Sequence, residues 1–173
     1  MRDELFQKSC GVVPVRLVDG EPRYLLLHSG LVRNPKATWE FPKGSMEEGE
    51  SPIQTARREC REETGLCEVR VVEGFFALDT YSFRREGRRI QKQVSYFLGI
   101  VDDPSGLKAE PDGREHVLDA EGEWARWLSY EDARTTLYHE GQRAVLACAH
   151  AHLVALKILE ERAAPAPAPQ EAP

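Results

Sequence analysis

Residues Gly44 to Leu66, GSMEEGESPIQTARRECREETGL, constrain this chain most, because they specify a complete helix with its own start and stop. Ser51 is a good N-cap, its hydroxyl able to accept from a free N–H of the first turn. Pro52 then falls at the first helical position, where a missing N–H costs nothing. Gln54, three residues after Ser51, completes a capping box. Gly65 supplies the left-handed stop. The spacing predicts a helix from Pro52 to Thr64, with Ile53, Ala56 and Cys60 as its apolar stripe. Glu59, Glu62 and Glu63 stand at i, i+3 and i+4 and share a neighbouring face.

Like charges at that spacing repel, so a fold does not gather them for stability. A divalent cation is the natural neutraliser: Mg²⁺ takes oxygen ligands, keeps several waters, and uses one or two carboxylates together with substrate phosphates. Three glutamates on one rigid face satisfy that demand and can leave one carboxylate to deprotonate a water. Arg58 reaches Glu62 at i+4 and can fix its rotamer. A solvated acidic face balanced by Arg57, Arg58 and Arg61 explains E-x-x-E-E taken alone. The framing glycines, Glu50 and Arg58, all in register, favour chemistry.

The segment resembles the Nudix box, G-x5-E-x7-R-E-U-x-E-E-x-G-U, where U is bulky and apolar. Gly44, Glu50, Arg58, Glu59, Glu62, Glu63, Gly65 and Leu66 match it. Cys60, at the first U, is smaller than the usual aliphatic but reads as a small buried hydrophobe. The resemblance implies an α/β/α sandwich with a mixed β-sheet between helices. It also implies hydrolysis of a nucleoside diphosphate linked to a second group, with Mg²⁺ or Mn²⁺ as cofactor. The implied metal set is Glu59, Glu62 and Glu63 with the backbone carbonyl of Gly44, and the implied catalytic group is Glu59, Glu62 and Arg58. Two roles are open to Glu50: a further or water-mediated ligand, or a salt-bridge partner that orients Arg58. The base is Glu59 or a later glutamate, for which Glu121 and Glu123 are the candidates; surface acidity is the alternative for each of those two.

The approach segment Trp39-Glu-Phe-Pro-Lys-Gly44 is similar to the W-x-x-P-K-G turn of the bis(5′-nucleosyl)-tetraphosphatase branch, the diadenosine tetraphosphate hydrolases. Ser9–Val13 with Tyr24–Leu27, Lys92–Leu98 and Glu121–Ala133 are similar to the same branch. Lys43 is placed to meet a phosphate as a point charge. The basic loop Arg84–Arg89, with Lys92, is a candidate grip for a polyphosphate chain. Tyr81 and Tyr138 offer aromatic faces on which a base can stack. Each has a plainer reading as a solvated or packed residue. Alternatives with the same chemistry are a diphosphoinositol polyphosphate, a nucleotide sugar or an RNA 5′-pyrophosphate as substrate. A nucleotide-binding module without catalysis would carry a broken box, and this one is intact.

Elsewhere the 173 residues read as one domain over 1–162 and a Pro/Ala-rich tail over 163–173, too poor in apolar side chains to bury a core. A net charge of −6 supplies no positive field for nucleic acid, so a small phosphorylated molecule is the expected partner; the oligomeric state is open. No apolar run approaches membrane-spanning length, and the first eight residues lack a signal core, which makes cytoplasm the expectation. Four cysteines and five histidines show no metal-ligand spacing. Strands are expected at Ser9–Val18, with an edge or bulge at Pro14, then at Arg23–His28, Cys67–Asp79, Gln91–Val101 and Glu123–Leu128. Pro42-Lys43-Gly44 is expected as a turn, Asp102–Gly113 as a loop, a short helix after Ser129, and a last helix over Gly141–Arg162.

Overall fold

The computed structural model describes residues 4–28, 39–109, 115–116 and 124–163. Among the described residues, ten strands and three helices follow one another: β1 (Glu4–Val18), β2 (Glu21–His28), β3 (Trp39–Glu40), β4 (Lys43–Ser45), α1 (Pro52–Thr64), β5 (Arg70–Val71), β6 (Ala77–Arg85), β7 (Arg88–Ile100), β8 (Lys108–Ala109), β9 (Glu115–His116), β10 (Trp124–Leu128), α2 (Tyr130–Thr136) and α3 (Glu140–Ala163). Eight strands form one sheet in the order β10-β2-β1-β7-β5, with β3 on β2, β4 on β1 and β6 on β7; β8 and β9 pair separately. β1 and β7 run parallel from Glu4↔Arg89 to Val15↔Ile100, and the other pairings are antiparallel.

The sheet is mixed and covered on both faces, as the continuous apolar runs Val12-Val13 and Leu25-Leu26-Leu27 require. Cys10, Val12, Leu25 and Leu27 pack with Ala56 and Cys60 of α1. Val13, Val15, Tyr24 and Leu26 pack with Ala133 of α2 and Val145, Leu146 and Ala149 of α3. Alternate residues of the same strands thus feed two cores, and the result is the α/β/α sandwich.

Several local expectations are corrected. Pro14 lies inside the central strand, not at an edge. The Val12 N–H donates to the Pro42 carbonyl, so the Pro14 nitrogen faces the same side, between the end of the β4 pairing at Gly11 and the start of the β2 pairing at Val15. No ladder bond is lost there. Lys43 and Gly44 pair with β1 as strand β4 instead of forming a turn. The stretch Cys67–Asp79 is not one strand: Gly74, at φ 78°, breaks it between β5 and β6. The basic loop Arg84–Arg89 is a hairpin end. Glu86 and Gly87 take φ of 52° and 77°, a type I′ pattern, and Arg84 and Arg85 pair with Arg89 and Arg88. Loop residues 108–109 form β8. The tail beyond 163 lies outside the described residues.

Candidate active site

Helix α1 starts and stops as its local signals demand. The Ser51 side chain accepts from the Gln54 N–H, the Gln54 side chain accepts from the Ser51 N–H, and Gly65 sits at φ 79°. Its buried residues are Thr55, Ala56, Cys60 and Thr64. Ile53, expected on that stripe, is 38 % exposed. Thr64 takes a buried place because its hydroxyl donates to the Cys60 carbonyl at 2.5 Å, which removes the cost of burying it.

Arg58 organises the acidic face. Its Nε and Nη2 donate to the two oxygens of Glu50 at 2.7 and 3.0 Å, Nη1 donates to Glu59 at 2.8 Å and Glu62 at 3.1 Å, and Nη2 also reaches the Ser45 carbonyl at 2.9 Å. Glu50 also accepts from the Thr55 hydroxyl and the Glu47 N–H. These bonds, the Arg58 one foremost, hold the Glu50 carboxyl down at about 2. So saturated an acid is a poor proton acceptor. Both Glu50 oxygens are thus engaged by Arg58.

Glu59 turns toward β4. A Cβ on Gly44 would overlap the Glu59 carboxylate, so only glycine admits that approach. Glu63 accepts from the Lys43 N–H at 2.8 Å; burial pushes its carboxyl up to about 8, against the pull of Lys43. Glu62 remains 55 % exposed along its side chain.

Across β4 lies a second group of opposite sign. The Lys43 ammonium donates to Glu40 at 2.5 Å. Burial lowers its pKa, but Glu40, with Tyr81 and Glu63 adding, outweighs that and leaves it raised. Tyr81 on β6 stands opposite Lys92 on β7. Burial, and then Lys43, push the Lys92 ammonium down, while Glu40, Glu63 and Glu59 act on it in the other sense. Lys43, Lys92 and Tyr81 therefore come together beside the box carboxylates. The Tyr81 ring lies 6.1 Å from Phe83, and Tyr138, before α3, lies 5.3 Å from the ring of His139.

Arg84 does not join them. Three residues beyond Tyr81 on a strand, it projects from the other face of β6, opposite Arg89. Arg85 and Arg88, in step with Tyr81 and Lys92, share their face instead. Glu121 and Glu123 lie outside the described residues. A cavity of about 480 Å³, lined by Arg57, Val69, Arg70 and Ile100 among others, sits on the far flank of α1 and contains none of the expected site residues.

Three members of this neighbourhood were not picked out in the sequence: Glu40, Asp79 and Tyr96. Asp79 is 7 % exposed against Gly141 in the first turn of α3, and burial raises its carboxyl while His139 and Lys43 lower it. A lone acid within an alternating strand was its only signal. Tyr96 is wholly buried, and its hydroxyl has no partner among the described residues.

The family model described as the NUDIX domain matches residues 6–148. The chain belongs to the Nudix family. This Nudix chain is 32 % identical over 117 residues to the mouse protein named bis(5′-nucleosyl)-tetraphosphatase [asymmetrical], covering 66 % of this chain and 71 % of that one. It is 35 % identical over 101 residues to a Caulobacter vibrioides protein named RNA pyrophosphohydrolase, covering 53 % of this chain and 58 % of the relative. The chain thus spans less than two thirds of that relative's length. Among solved structures it is similar to a binary complex of the C. elegans Ap4A hydrolase, at TM-score 0.65 and 26 % identity, covering 86 % of this chain and 98 % of that one.

The box of this Nudix protein suits a hard cation by donor chemistry. Glu59, Glu62 and Glu63 supply carboxylate oxygens, and the missing Cβ of Gly44 leaves the Glu59 carboxylate against the backbone. Among the described residues, no three acidic, histidine or cysteine side chains converge as a finished cage. Glu59 and Glu62 are held on Arg58, and Glu63 on the Lys43 amide.

Proposed function

We propose that this chain hydrolyses a pyrophosphate bond in a nucleoside polyphosphate, with a dinucleoside polyphosphate such as diadenosine tetraphosphate as substrate. The observation that carries the reading is the meeting of two opposed groups across β4: glutamates Glu59, Glu62 and Glu63 on one side, Lys43, Lys92 and Tyr81 on the other. A phosphate chain flanked by bases is anionic along its middle and aromatic at its ends. The names of the mouse relative and of the C. elegans structure support that substrate.

Glu59, Glu62, Glu63 and the Gly44 carbonyl are the residues to hold Mg²⁺ or Mn²⁺. When bound, such an ion supplies neutralisation of phosphate oxygens and a lowered pKa for water. The side chains do the rest. Lys43 and Lys92 orient the phosphates through charge, and Tyr81 and Tyr138 offer faces for a base. Arg58 keeps Glu59 and Glu62 in place, itself anchored by Glu50. Glu59, whose carboxylate lies against the Gly44 backbone, is the carboxylate we assign to take a proton from the attacking water.

Steady-state assays test this with diadenosine tetraphosphate, 5′-triphosphorylated RNA, nucleotide sugars and a diphosphoinositol polyphosphate, each with Mg²⁺ or Mn²⁺. The dinucleoside polyphosphate is expected to give the highest kcat/KM. A preference for the RNA end, which the Caulobacter relative's name makes the rival, would replace this substrate. Glu59→Gln is expected to lower turnover by about 10²–10⁴-fold with the fold retained. Wild-type rates from that variant would remove Glu59 from its role.

A further inference from the structure

Glu40 is no part of the box, yet among the described residues beside the box it makes the shortest polar contact. Its carboxylate sits 2.5 Å from the Lys43 ammonium, with side chains only 25 % and 8 % exposed. The role of Glu40 rests on the proposed function, in which Lys43 is where a phosphate is met. A carboxylate and a phosphate oxygen are the same kind of partner to an ammonium, a charged acceptor at hydrogen-bond distance. Glu40 therefore fills a position that an arriving phosphate needs.

We propose that Glu40 is a specificity-determining residue that competes with substrate phosphate for Lys43, so that only a chain of several phosphates displaces it. A single phosphate at Lys43 exchanges one anion for another and gains little. A longer chain reaches Lys92 as well, which lies close enough to Lys43 for the two ammoniums to oppose one another. The second contact supplies what the first exchange does not.

The displaced carboxylate has a place to go. Tyr96 is buried with its hydroxyl unpartnered among the described residues, and such a group carries a standing cost until it finds an acceptor. Its ring lies 5.9 Å from that of Phe41, the residue next to Glu40. A Cβ on Gly11 would meet both the Tyr96 ring and the Lys43 Cβ at 2.8 Å, so tyrosine and lysine are packed side by side. Glu40 leads the charged groups acting on that hydroxyl. On this proposal Glu40 has two donors in turn, Lys43 in the free protein and Tyr96 once phosphate has taken the lysine.

Calorimetric titration of the full chain with inorganic triphosphate and with orthophosphate, both with Mg²⁺ present, tests the competition. Glu40→Gln is expected to tighten triphosphate and orthophosphate alike by about tenfold, which brings orthophosphate, too weak to displace the carboxylate in the wild type, into measurable binding. Lys43→Met should weaken both. Tyr96→Phe should weaken triphosphate a few-fold in the wild-type background and have no effect on top of Glu40→Gln. A Glu40→Gln protein that binds triphosphate no better than wild type would show that Glu40 merely orients Lys43, and would overturn the proposal. Hydrolysis of a dinucleoside polyphosphate by the wild type is followed in parallel. Turnover without an effect of Glu40→Gln defeats the competition alone; absence of both turnover and triphosphate binding in the wild type defeats the functional reading with it.

Discussion

Single side chains decide how the acidic face of α1 is presented. Gly44 is the sharpest case, since any Cβ there would overlap the Glu59 carboxylate. Gly44→Ala is expected to push Glu59 out of line, and a misplacement of about 1 Å can cost on the order of 10²-fold in rate. Mn²⁺ affinity followed by electron paramagnetic resonance should fall along with turnover; an unchanged affinity would mean that the close approach plays no part in metal uptake. Glu50 gives a prediction in pH. Its carboxyl drops from an ordinary 4.5 to about 2 in the folded chain, chiefly through Arg58. A depressed acid contributes stability above its unfolded pKa and loses it as pH falls toward the folded one. Denaturation midpoints should therefore decline between about pH 4.5 and 2, and Glu50→Gln should flatten that decline. An equally steep fall in the variant would assign the acid sensitivity elsewhere. At this scale the sequence was legible where the partner is local. Arg58 and Glu62 sit one helical turn apart, and their contact was expected. Arg58 holding both oxygens of Glu50 required the loop before Ser51 to fold back on the helix, which left Glu50 with two open roles. The Glu40–Lys43 pair was less legible still, because E-F-P-K on paper says nothing of a Lys43 ammonium buried beside Tyr81 and Lys92.

Elements are legible to the extent that their signals are self-contained. Helix α1 runs from Pro52 to Thr64 as expected, because cap, first-turn proline and terminal glycine all lie within it. Ser51→Ala should cost about 0.5–2 kcal/mol of unfolding free energy, the usual effect of losing a side-chain cap. Strand limits fared worse. Pro14 suggested an edge, and only the gap between the β4 and β2 pairings shows why a central strand accepts it. Arg84–Arg89 read as a basic loop, whereas two positive-φ residues make it a tight hairpin with arginine facing arginine. Like charges directly opposite one another in a ladder destabilise it. Arg88→Glu, which sets an acid opposite Arg85, should stabilise the fold by about 0.2–1 kcal/mol in low salt, with the gain shrinking as salt rises. A loss of stability would indicate that the arginines are already neutralised by neighbours.

At the scale of the whole molecule, the site draws on both helical layers of the sandwich. The glutamates belong to α1 on one face of the sheet, and α3 packs on the other. The approach segment before Gly44 links them. The Phe41 N–H donates to the side-chain oxygen of Gln142 on α3 at 3.1 Å, and both residues are buried. Phe41 itself is wedged among Tyr96, Leu146 and their neighbours in the same core. That bond spans 101 residues, so nothing in the local sequence announces it. It fixes the segment whose next residues are Pro42, the buried acceptor for the Val12 N–H, and then Lys43 and Gly44. Gln142→Met keeps the length and removes the acceptor. The buried N–H left behind should cost about 1–3 kcal/mol. Because Lys43 and Gly44 follow directly, the loss should also appear as a raised KM and weaker Mn²⁺ uptake, although no atom of Gln142 belongs to the box. A variant that loses stability but keeps wild-type KM and metal affinity would show the segment to be held by β4 and the Phe41 ring alone. Should both shift together, α3 is part of what positions the catalytic face, and the two sides of the sandwich serve one site.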